Sequence, residues 1–383
     1  MKIVFITSSL EPGRDGVGDY TRRLAGIFIK LGHTVTALSL KDHFTTNEIV
    51  SSENIDGVAL DIIRIPFTWQ DNKRMNRAKH WIDILDPDWL SLQFVIFSFH
   101  NKGLPFKISN SLSVLGKGRH WHIMFHELWV GINNKTSVKY FLWGLAQQYI
   151  IKQLILNLKP ELINTHTKLY QKKLSQLSFS AAYLPLFGNI PVVNTDFDNT
   201  QSNNSKIIKI VMFGTIHPGS PVEKFITDLL AYQIEFDVRF ILVIVGRTGN
   251  QSKIWASAFK ENNIIIEILG ELSTKHISTV LSNSTFGIST TPIEFAEKSG
   301  TIAAMREHGL MVLCITDKNA NLKSKDFVPP AGVINYYKGC LKEIIKNINT
   351  IPFKSTVEII GLKLSTSLSE SLKKCIAEPT DSI

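Results

Sequence analysis

Short apolar runs rich in β-branched residues recur along the first half of the chain at 3–7, 34–40, 58–65, 89–94, 120–125, 162–165 and 181–184. Between several of them lie longer stretches, 20–31, 74–85 and 138–158, whose apolar positions repeat with helical spacing. Runs of the first kind predict buried strands and stretches of the second kind predict helices. Strand then helix, repeated, implies a mainly parallel sheet covered on both faces.

The rhythm stops at 193–205, which is almost devoid of apolar residues and rich in Asn, Ser, Thr and Asp. Such a stretch reads as a linker or exposed loop. It then restarts, with strands expected at 207–213, 239–245, 264–269, 286–289 and 310–315 and helices at 222–232, 253–262, 275–281 and 301–308. The expected organisation is therefore α/β, with two Rossmann-like doubly wound domains facing across a cleft. Residues 1–190 would form the first domain, 191–206 the polar linker, and 207–355 the second domain. The amphipathic end, 356–383, would be a helical segment crossing back to the first domain. In such sheets ligands lie at the carboxyl ends of the strands, so function should sit in the loops that follow them.

Length agrees with two domains, because 383 residues exceed what one core ordinarily serves. The start enters a strand at Lys2 without a signal-peptide pattern, and no apolar run reaches the length of a membrane span. Cys314, Cys340 and Cys375 are odd in number and widely spaced, which suits neither a disulfide framework nor a zinc site. A cytoplasmic protein is expected. Charge is uneven: residues 1–190 carry 22 Lys and Arg against 14 Asp and Glu, and the remainder 20 against 19. With no arginine-rich run or basic stripe interleaved with aromatics, nucleic acid is not the expected partner. An anionic membrane surface or a phosphorylated acceptor fits the basic first half better.

Candidate chemistry gathers in three places. After the first strand, Gly13, Gly16, Val17 and Gly18 form a glycine-bearing loop that runs into a helix, where backbone and helix dipole can approach an anion. The spacing does not match the dinucleotide fingerprint. Next comes the cluster His120, His122 and His126 with Glu127. His120 and His122 open a strand while His126 follows it, so a metal site is not expected and His126 is the candidate for hydrogen bonding in the cleft. The richest segment runs from Ser289 to Gly309 and carries Glu294, Glu297, Lys298, Ser299, Gly300 and Thr301 at the entry to a small-residue helix. Carboxylates there can accept from sugar hydroxyls, while Lys298 and the helix start suit a diphosphate.

Taken in order, Gly16-Val17-Gly18-Asp19-Tyr20-Thr21, Lys30 to Val35, Pro87 to Gln93, His126, Phe213-Gly214-Thr215, Val243 to Arg247 and Glu294 to Gly309 resemble the retaining glycosyltransferases of the GT-B fold, family 4. The likeness spans nearly the whole chain. It implies metal-independent transfer of a sugar, with retention, from a nucleoside-diphosphate sugar to a glycan, lipid-linked or small-molecule acceptor, in cell-surface polysaccharide or glycoconjugate synthesis. No further cofactor is implied. By that resemblance His126 and Glu294 contact the donor sugar and are the catalytic residues, and Gly16, Val17, Gly18, Gly214, Thr215 and Glu297 to Thr301 bind the donor. Two departures stand out: Ala303 occupies the place of a second glutamate, and Thr215 and His217 stand where basic residues are usual. Lys224 or Arg247 would supply the missing positive charge. A sugar-nucleotide epimerase on the same frame and a catalytically silent glycosyltransferase-like binding subunit are the alternatives.

Overall fold

The computed structural model describes residues 1–132, 137–193, 206–316, 328–348 and 356–377. The chain divides into two compact units, Met1–Pro185 with Val357–Ile383, and Leu186–Thr356. Most of the expected linker falls at 194–205, outside the described residues.

The first unit holds eight strands: β1 (Lys2–Thr7), β2 (Thr34–Asp42), β3 (Ile49–Ile55), β4 (Val58–Pro66), β5 (Trp89–Phe94), β6 (His120–Phe125), β7 (Leu162–Thr165) and β8 (Ala182–Tyr183). Their order is β3-β4-β2-β1-β5-β6-β7-β8, parallel throughout except for the β3–β4 hairpin. Every residue of β5 is buried, as is every residue of β6 after His120. Such strands lie beneath helices on both faces, so their polar members, Ser91, Gln93 and His122, find their hydrogen-bond partners inside the unit. The hairpin turns at Asp56-Gly57, both with positive φ (48° and 91°), the geometry that a two-residue connection requires.

The second unit repeats the plan with β9 (Ile207–Phe213), β10 (Arg239–Val245), β11 (Ile265–Gly270), β12 (Phe286–Ser289), β13 (Val312–Cys314) and β14 (Val333–Asn335), in the order β11-β10-β9-β12-β13-β14 and all parallel. Its core is built from Phe225, Phe240, Phe259, Phe286 and Trp255 among others.

Strand order locates the ligand crevices. In the first sheet the chain winds outward from β1 through β2 and then returns to β5 on the other side. In the second it leaves β9 through β10 and returns to β12. Loops after β1 and β5, and after β9 and β12, therefore diverge at the two topological switch points.

The helix Val357–Ala377 belongs to the first unit and lies against the helix Gly16–Lys30. Gly361 permits the approach, since a Cβ there would stand 2.5 Å from Ile27 Cγ2. His33 Nε2 and Ser365 Oγ add a 2.6 Å hydrogen bond.

Candidate functional site

In the first unit the loop after β1 is braced from four directions. The buried Asp42 carboxylate accepts from Leu10 N at 3.0 Å and from the Arg64 guanidinium at 2.8 and 3.0 Å, and Arg64 also grips Glu11 at 2.5 Å. Burial pushes the Asp42 carboxyl upward, but Arg64 and the Leu10 and Phe44 amides outweigh it and hold the group below its usual range. Arg22 donates to Leu10 O, and Gly13 N donates to Asp19. Gly18 is a steric requirement: a Cβ there would lie 2.7 Å from Ser9 O. The helix start itself is capped by Asp15, which accepts from Val17 N at 2.9 Å and is raised by its burial. An anion at Gly16, Val17 and Gly18 would thus meet this chain's own carboxylate.

A buried string of polar side chains runs across β5, β6 and β7 toward their carboxyl ends. Asn164 Nδ2 donates to Ala182 O at 3.2 Å, His122 Nε2 donates to Asn164 Oδ1 at 3.1 Å, and Ser91 Oγ donates to His122 Nδ1 at 2.8 Å. Gln93 Nε2 then donates to Ser91 Oγ at 2.9 Å, and His126 Nε2 to Gln93 Oε1 at 3.0 Å. From the other end, His166 Nδ1 donates to Leu184 O at 2.9 Å. Carbonyl oxygens only accept, so both ends dictate the direction of every bond between them. The two directions meet where His126 Nδ1 faces His166 Nε2 at 3.0 Å. With every ring neutral, that contact has no proton.

Burial drives the basicity of all three rings down, His122 and His166 to about 4, while His126 falls well below its ordinary value through burial and then through its histidine neighbours. Tyr20, from the helix after the glycine loop, sets its ring edge-on to both His126 (4.9 Å) and His166 (5.1 Å). The expected residues Gly16, Val17 and Gly18 are thereby linked to His126. Both nitrogens of His126 face groups of the same unit, Gln93 Oε1 and His166 Nε2, and the residue is 7% exposed. His166 escapes sequence reasoning, and Gln93 and Tyr20 enter it only within the runs that carry the resemblance, without a role of their own. Among the described residues no three His, Cys, Asp or Glu side chains are arranged to hold a metal ion.

In the second unit the switch point collects most of the other candidates. After β12 a 3-10 turn, Ile293–Lys298, carries Glu294, Glu297 and Lys298, and Ser299 caps the helix Gly300–Glu307 by accepting from Ile302 N. The cap leaves the amides of Gly300 and Thr301, which have no acceptor within the helix. Gly214, at the end of β9 with φ +85°, lies directly against this start, since a Cβ there would be 2.6 Å from Thr301 Cγ2. His217 N donates to Thr290 Oγ1 at 2.7 Å and ties the two loops together. Glu294 Oε2 is buried without a hydrogen-bond partner, as is Asn335 Oδ1 at the end of β14. Lys298 Nζ lies 5.1 Å from the Phe295 ring centre.

Thr215 is exposed beside Gly214, and Lys224 is exposed in the first turn of the helix Val222–Phe236. Arg247 follows β10 and is paired with Glu271 at 2.8 Å, so it enters any phosphate site only by sharing that carboxylate.

No protein-family model matches the chain, and no curated protein matches it by sequence. Solved structures do match in shape. Anabaena HepE in complex with UDP and glucose is similar over 97% of this chain and 100% of its own, with TM-score 0.56 and 13% identity. The UDP-GlcNAc 2-epimerase of Neisseria meningitidis bound to UDP-GlcNAc is similar over 97% and 100%, with TM-score 0.57 and 8% identity. The catalytic domain of starch synthase IV from Arabidopsis thaliana, bound to ADP and acarbose, is similar over 97% and 99%, with TM-score 0.55 and 10% identity. At these identities the likeness shows the fold. The chain has the GT-B fold, an α/β architecture of two Rossmann-like units.

Proposed function

We propose that the second unit binds a nucleoside-diphosphate sugar at the β9–β12 switch point and that the protein transfers the sugar to an acceptor held by the first unit. The observation that carries this reading is Glu294 Oε2, a buried carboxylate oxygen with no partner, in the 3-10 helix that leads into a capped helix start. A buried acceptor left unpaired costs about 1–3 kcal/mol, and a ligand hydroxyl donating to it would remove that cost. Next to it, Lys298 and the Gly300 and Thr301 amides provide positive potential for a diphosphate, and Gly214 lets the phosphates approach past Thr301.

Family 4 membership, retention and freedom from metal belong to the same proposal. The leaving diphosphate would be stabilised by lysine and helix dipole, and one of its oxygens would take the proton of the incoming hydroxyl on the face from which it departs. Ala303 offers no carboxylate to a ribose, so the nucleoside is held by other groups. We place the enzyme in the cytoplasm at the inner membrane face, in the synthesis of a cell-surface glycan; among the described residues no helix is long and apolar enough to cross a membrane.

A second reading, sugar-nucleotide epimerisation, is favoured by the equal likeness to an epimerase. Incubation with UDP-glucose and UDP-GlcNAc in deuterated water, followed by NMR, separates the two. Sugar release or transfer with C2 protium retained supports the transferase, whereas deuterium at C2 supports the epimerase. Binding without turnover would point to a silent binding subunit.

A further inference from the structure

A cavity of about 310 Å³ opens in the first unit between the end of β2, the helix Asp71–Leu85 and the segment 99–111. Its walls are apolar, formed by Leu40, Met75, Phe99, Leu104 and Ile108. Its polar groups are three cations, Lys41, Arg74 and Lys107, against one carboxylate, Asp71, with His100 and Ser111. Arg74 is committed to Phe67 O, Trp69 O and Asp71. Lys41 spends one donor on Phe99 O at 2.9 Å, and burial, then the neighbouring Arg74, lower its basicity. An ammonium has three donors, so two remain for a ligand.

Apolar walls with a surplus of cations select a ligand that is itself divided, a hydrocarbon portion joined to an anion. A sugar alone would leave the walls unsolvated, and a free phosphate would gain nothing from them. The surroundings agree. Phe106 on the same segment is 57% exposed. The helix Val138–Leu158 anchors that segment, with Trp143 Nε1 donating to Lys102 O and Asn157 Nδ2 to Ser109 Oγ. It exposes Phe141, Leu142, Leu145 and Tyr149 and contains no Asp or Glu. A basic, aromatic outer face suits the surface from which an amphiphile would be drawn.

We propose that this cavity binds the phosphate and first carbons of an anionic amphiphile, a long-chain alkyl or isoprenoid phosphate. That it serves as the acceptor site rests on the glycosyltransferase reading; the binding itself does not. Octyl phosphate below its micelle concentration, octanol and inorganic phosphate should be titrated calorimetrically onto the full chain without nucleotide. Octyl phosphate should bind one to one and at least about tenfold more tightly than either fragment, since inorganic phosphate lacks the methylenes that the apolar walls bury and octanol lacks the charge that Lys41 and Lys107 meet. Lys107→Glu, an exposed position, should weaken it severalfold, and Leu104→Asp should abolish it. Equal affinity for the fragments, many-to-one uptake, or unchanged binding in Lys107→Glu would overturn the assignment. UDP titrated separately keeps the two proposals apart, because loss of nucleotide binding alone leaves the cavity assignment standing.

Discussion

His126 Nδ1 lies 3.0 Å from His166 Nε2, at the one point where a hydrogen-bond string fixed by the carbonyls of Ala182 and Leu184 lacks a proton. The first proton to enter goes there, on His166 Nε2, donating to His126. In an ¹⁵N spectrum His166 should become the first charged ring of the three on acidification. Charging of His122 first would contradict the bond directions.

The same rings set a pH dependence. Burial holds them neutral in the native state, with His122 and His166 near 4, while unfolded histidines titrate near 6.5. Between those values the unfolded chain binds more protons, so stability falls as pH is lowered through that window and levels off beneath it. The loss is on the order of a few kcal/mol. His166→Phe should make the slope of unfolding free energy against pH shallower; an unchanged slope would remove His166 from this balance.

Gly214→Ala places a methyl against Thr301 Cγ2 and strains a φ of +85°. Unfolding free energy should drop by about 1–3 kcal/mol. Thr301→Ser removes the opposing methyl and should restore part of the loss, leaving the backbone strain. Simple additivity of the two changes would show that the contact does not form.

Asp42→Ala should cost about 3–5 kcal/mol, because it leaves Arg64 buried against Glu11 alone and frees Leu10 N. Adding Arg64→Met should recover much of that. If the double variant is no more stable than Asp42→Ala, the loop after β1 depends on Arg64 for reasons other than this pair.

Association with anionic vesicles should be measurable at low salt and decline as salt rises, as expected for a basic surface contributing about 1 kcal/mol per lysine. Phe141→Ser with Leu142→Ser should reduce it without changing the salt dependence. Salt-independent association, or none, would mean that the basic first half serves another purpose.

What the sequence made legible follows burial. β5, β6 and β7 lie inside a parallel sheet, so they are short, largely buried segments with polar turns on either side, and the expected ranges coincide with the strands. β3 was hidden because it is an edge strand whose residues alternate toward solvent; the cue was Asp56-Gly57, a hairpin turn. β14 is three residues long and carries no period. The segment around Glu294 could be read because its residues are contiguous. The histidine string could not, since Gln93, His126 and His166 stand at the ends of three separate strands and meet only through sheet order. Polar residues at the ends of successive strands, Gln93, His126 and His166, were the signal available.

The most direct test of the donor site is calorimetric titration of UDP and UDP-sugars onto the wild type, Lys298→Ala and Glu294→Gln. Lys298→Ala should weaken UDP and UDP-sugar alike by about tenfold, as for loss of one charge-assisted contact. Glu294→Gln should leave UDP unchanged and weaken only the UDP-sugar. Identical affinities in all three proteins, or no binding by the wild type, would contradict a nucleotide-sugar site at Glu294 to Thr301.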